Sequence, residues 1–167
     1  MSLDPLLQAD TAIQIHAFSA IAAFAIGGFV LWRRKGTALH KALGRIWVVL
    51  MLIVATSSLF INEIRLVGPF SPIHIFAVMT YIGIGQALWA IRVRRDVAGH
   101  RASMQGTYIG ALLLAGAFTF LPGRRMHAVL FGAAAGWTPS LILIGVALAA
   151  TGLLWLRLRR PAASARS

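Results

Sequence analysis

The sequence predicts an all-α membrane protein of five transmembrane helices: a four-helix core built from two parallel two-helix repeats, a fifth helix beside it, and the N-terminus outside. Three observations lead there. Hydrophobic residues make up 59% of the 167 residues and charged residues only 12%, a balance outside that of soluble domains. Five apolar runs, roughly 12–32, 43–63, 73–91, 105–121 and 138–156, approach the ~20 residues a helix needs to cross a bilayer. Thirteen cations fall in the turn after the first run, the turn after the third and the tail, against three (Arg65, Arg124 and Arg125) on the other side. Cytoplasmic loops carry the excess of Lys and Arg, so the C-terminus is expected inside.

The same numbers exclude other classes. A net charge of +12 would suggest nucleic acid in a soluble chain, but these cations sit at the ends of apolar runs and serve orientation. Without cysteine there is no disulfide, no iron–sulfur cluster and no covalent haem attachment. Residues 1–160 read as a single transmembrane domain, with repeat 1 at about 12–64, repeat 2 at about 73–121 and the fifth helix at about 138–156; residues 161–167 read as a disordered tail. The first ten residues contain no basic residue, so the first helix is expected to stay in the membrane rather than be cleaved as a signal peptide.

The first run starts near Asp10 or Thr11 and ends at Trp32, and His16 lies in its outer part. Ala20, Ala23 and Gly27 share the His16 face; such a stripe serves close helix packing or leaves room for a flat prosthetic group. Gly36 and Thr37 break and cap the chain, which places His40 in the first turn of the second helix. The outer loop is punctuated by Gly68, Pro69 and Pro72, and His74 opens the third helix. Asp96 is the expected cap of the fourth helix, with His100 in its first turn or two and a stop at Pro122. The connection from Pro122 to Pro139 carries His127 and is apolar enough to lie along the interface. The fifth run has no titratable group in its membrane part and reads as scaffold.

Placing His16 on His74 brings Phe18 onto Phe76 and Gly27 onto Gly85; after a two-residue insertion His40 falls on His100 and Phe60 on Phe120. Both hairpins start outside, so the repeat axis runs along the membrane normal. In an up-down bundle the first and third helices, and the second and fourth, then face diagonally. His16 and His74 are expected to meet near the outer surface, His40 and His100 near the inner one. Two opposed imidazoles fill the two axial positions of a haem iron, with Lys41, Arg45 and Arg101 inside and Arg65, Arg124 and Arg125 outside as propionate or anion contacts. A histidine at a membrane boundary also serves as an ordinary helix cap or headgroup contact. A different reading takes His16, His74 and His127, with Glu63 or Asp10, as an outward zinc or copper site of a membrane enzyme.

The pattern His16, Arg33-Arg34-Lys35-Gly36-Thr37, His40, Gly44-Arg45-Ile46-Trp47, Phe70-Ser71-Pro72-Ile73-His74, His100-Arg101, Met104 and Pro122-Gly123-Arg124 resembles a bacterial family of small membrane proteins of unknown function. His40-Lys41-Ala42-Leu43-Gly44 also looks like the His-x-x-Leu-Gly element of two-haem b-type cytochromes, which carry electrons from ascorbate or quinol. That likeness implies ligand roles for His40, His100, His16 and His74 toward one or two haem b groups, and a quinol or other small redox partner. The inner histidines lie closer to the helix ends than in that group. The expectation is a bilayer-embedded electron-transfer protein of the bacterial inner membrane that does not bind nucleic acid; the alternatives are the histidine-ligated metal enzyme and a haem-free structural or interaction protein.

Overall fold

The computed structural model describes residues 2–61, 74–132 and 134–159, and all regular structure among them is helical. A short α1 (Asp4–Leu7) precedes α2 (Thr11–Trp32) and α3 (Ala38–Ser58). After α4 (His74–Arg92) comes α5 (Val97–Thr107), which runs on through a π-helical segment (Tyr108–Leu114) into α6 (Ala115–Phe118). Then follow α7 (Arg125–Phe131) and α8 (Trp137–Arg159). α2, α3 and α4 are each long and apolar enough to cross a membrane; the apolar stretch Trp137–Ala150 of α8 is shorter.

The helices form a ring. α2 packs on α3, α3 on α4, α4 on α5, and the π segment closes back onto α2. α2 and α4 therefore stand at opposite corners, as do α3 and α5, the diagonal arrangement expected for an up-down bundle. α8 rests outside the ring against the π segment and α6, while α1 packs on α7.

What holds the ring is a waist of Ala23, Trp47, Met51, Ile84, Tyr108 and Leu112. The Trp47 indole donates to the Ala23 carbonyl (3.0 Å), and the Tyr108 hydroxyl donates to the Phe24 carbonyl (3.1 Å). Gly27 makes this possible: a Cβ there would lie 2.5 Å from the Trp47 indole nitrogen and 2.7 Å from the Tyr108 ring. The small-residue stripe thus receives two aromatic side chains at Gly27. Large apolar side chains point outward instead, among them Phe18, Ile21, Phe24, Val49, Val78 and Ile82, as expected where lipid replaces water and small residues let helices approach.

Two boundaries differ from the sequence expectation. The second span ends at Ser58, not near residue 63, because Thr56, Ser57 and Ser58 turn their hydroxyls back onto the carbonyls of Leu52, Ile53 and Ala55 and compete with the helical ladder. The fourth helical path begins at Val97, just after the expected Asp96 cap, but ends at Phe118, where turns from Gly116 to Thr119 and Ala117 to Phe120 replace the α pattern before Pro122. Asn62 to Ile73, which include Glu63, Arg65 and Ser71, lie outside the described residues, as does the tail from Arg160.

The two hairpins differ in detail from the expected repeat. Trp47 packs on Gly27 in the first, and Thr107, at the equivalent distance from its histidine, packs on Gly83 in the second. The glycine register is displaced by two residues from the expected Gly27–Gly85 match, and only the second hairpin contains a π segment.

Candidate functional site

The end of the bundle expected to face inward is built by two tight turns. After Trp32, the Lys35 ammonium donates to the Leu31 and Arg33 carbonyls, closing off the C-terminus of α2, where a cation is favoured. Gly36 takes φ +81°, and the Thr37 hydroxyl accepts the His40 N–H (3.1 Å) as the N-cap of α3. In the other hairpin the Asp96 carboxylate accepts the Gly99 N–H (2.9 Å) as the N-cap of α5. Both caps are where the sequence predicts them.

These caps place His40 and His100 in the first turns of diagonal helices, within electrostatic reach of one another. His100 Nδ1 lies 3.0 Å from the Ala87 carbonyl oxygen. A carbonyl only accepts, so Nδ1 carries the proton of this bond and Nε2 points away from Ala87. His40 Nδ1 is buried without a hydrogen-bond partner among the described residues. Around this pair, burial and the nearby Arg101 guanidinium hold Lys35 below the usual lysine range. Lys41 and Arg45 are exposed. Arg33 and Arg94 lie over the rings of Phe29 and Trp89, at 5.2 and 5.1 Å, as interfacial anchors do.

At the opposite end, expected to face outward, both histidines turn toward the end of α3. His16 Nδ1 donates to the Val54 carbonyl (3.0 Å), with the Ser57 hydroxyl 3.4 Å away; this again leaves Nε2 as the basic nitrogen. His74 is buried and its Nε2 donates to the Ile61 carbonyl (3.4 Å). The orienting groups are thus Val54, Ser57, Ile61 and Ala87. No sequence signal marks which carbonyl faces which ring, because that depends on how the helices cross.

A third cluster sits on the connection between α6 and α8. Arg124, Arg125 and His127, with Pro5, Gly123 and Ala128, line a cavity of 220 Å³. His127 is 1% exposed, donates from Nε2 to the Gly136 carbonyl (3.4 Å) and stands edge-on to Phe131. The outward metal reading gains nothing from this. Among the described residues no three His, Cys, Asp or Glu are grouped so as to hold a metal ion, so His16, His74 and His127 do not form a site: the first two are tied to the end of α3, the third to Gly136. A separate groove of 460 Å³ runs between α4 and α5, lined by Met79, Gly83, Gln86, Ser103, Gly106 and Gly110 among others.

No curated protein and no solved structure matches the chain. The family described as predicted membrane protein, DUF2306, matches residues 13–149.

Proposed function

The chain belongs to the DUF2306 family of predicted membrane proteins, and we propose that it is a five-span electron-transfer protein of the bacterial inner membrane, N-terminus outside, that binds b-type haem. The observation that carries this reading is the inner histidine pair. His100 has its proton fixed on Nδ1 by Ala87, and across the bundle His40 keeps a buried nitrogen with no partner among the described residues. A histidine whose second nitrogen is held by a carbonyl is in the tautomer and orientation that metal ligation requires, and an unpartnered buried nitrogen is costly unless something binds it. The residues therefore suit the group. His40 and His100 would hold the group, and Lys35 and Arg101, already close enough to repel one another, would supply the positive charge for its carboxylates. His16, with its Nε2 free of the Val54 carbonyl bond, and His74 would form the outer level.

Bound haem supplies one-electron chemistry. The chain's own contribution is to fix each imidazole's tautomer, to concentrate positive charge at the inner level and to keep the levels apart with the Trp47 and Tyr108 waist. Visible spectra of the protein purified from a haem-replete host, oxidised and dithionite-reduced, test this. A Soret band and a reduced α band are expected, with His100→Ala and His16→Ala each removing a separate fraction. Absence of both bands would reject haem and leave a haem-free structural or interaction protein.

A further inference from the structure

The cavity at the other end of the molecule from His40 stands apart from the inner histidine pair that carries that reading. Its walls come from α1 and from the turn into α7: Pro5, Gly123, Arg124, Arg125, His127 and Ala128. Three features define its chemistry. Its ionisable lining is entirely basic, two guanidinium groups and one imidazole, with no carboxylate among the lining residues. Arg124 is half-buried, unlike the exposed arginines of the inner turns. The His127 ring is almost wholly enclosed and is held by the Gly136 carbonyl through Nε2, leaving Nδ1 as its second polar atom. Arg125 also reaches the Pro5 carbonyl (3.4 Å), tying α1 across the cavity.

We propose that this cavity is a binding site for a phosphate oxyanion, with Arg124 as the main charge partner and His127 as part of an enclosed wall. Guanidinium matches the paired oxygens of a phosphate through its fork of N–H donors. A volume of 220 Å³ leaves room for a phosphate group beside the two guanidinium groups. The oxyanion has two sources, free phosphate in the outer aqueous phase or the headgroup of an anionic lipid. Leu3 and Leu7 on α1 are 57% and 53% exposed, which brings acyl chains within reach of the same site.

The experiment measures binding to the full-length protein by two arms. In detergent, inorganic phosphate is titrated by calorimetry; in nanodiscs, the preference for phosphatidylglycerol over phosphatidylcholine is read by native mass spectrometry. Arg124→Gln is expected to weaken the responding arm about tenfold, the size of one lost charged hydrogen bond. Ala128→Asp, which adds a carboxylate to the wall, should abolish it, and Arg94→Gln at the opposite end should leave it unchanged. Helicity by circular dichroism confirms that each variant is folded. A response to phosphate assigns a soluble anion, and a response to phosphatidylglycerol alone assigns a lipid headgroup. No response in either arm, or a response equal in Arg124→Gln, overturns the proposal. None of these readouts depends on haem.

Discussion

At Gly27 a single hydrogen atom in place of a side chain lets two aromatic rings from different helices meet a third. The position therefore tolerates nothing larger. Gly27→Leu should displace Trp47 and Tyr108 together and destabilise the bundle by about 1–3 kcal/mol, the usual cost of overpacking, visible as a lower melting temperature in detergent. Trp47→Phe tests the polar part alone. It keeps most of the ring but loses the bond to Ala23, so a smaller loss of about 1 kcal/mol is expected. A loss as large as that of Gly27→Leu would show that ring volume, not the hydrogen bond, matters there. The stripe Ala20, Ala23, Gly27 was legible in the sequence as a close-packing face. Its occupants were not, because Trp47 and Tyr108 lie 20 and 81 residues further along and no local period links them to it.

Helix starts were the most legible elements, because capping chemistry is local. Thr37 and Asp96 each accept a backbone N–H three residues on, as the sequence of the turns demands. Thr37→Ala and Asp96→Ala should each cost about 1 kcal/mol. The Asp96 change should also loosen the turn that carries His100, and nitrogen NMR of the labelled imidazole would register a weaker hold by Ala87; an unaltered His100 signal would contradict that coupling. Helix ends and irregular turns were less legible. Thr56-Ser57-Ser58 reads as three acceptable helical residues until their hydroxyls are seen bonding backward. Tyr108–Leu114, YIGALLL, is uniformly apolar, so nothing in its pattern separates a π turn from an α turn. That wider turn is nevertheless where the ring closes onto α2 and where Tyr108 enters the waist.

For the whole molecule, the basic turns around Arg34 and Arg94 should face the cytoplasm. The chain has no cysteine, which makes the check direct. In intact cells an impermeant maleimide should label Ala135→Cys and leave Arg34→Cys unlabelled; the reverse pattern would invert the topology and turn the His40 level outward. The ring and its diagonal corners followed from hydrophobic runs and charge, which set order and direction. Which faces meet, and that both outer histidines lean on the end of α3, came from packing that composition does not encode. The waist has a further effect at this scale. Trp47 and Tyr108 each have one exchangeable proton, and each is held by a carbonyl of α2 amid side chains that are otherwise apolar. The two donors of the waist end on helix carbonyls rather than on each other, so they form no proton relay between them. On the proposed reading, the waist would separate the two histidine levels without passing protons between them through these two side chains.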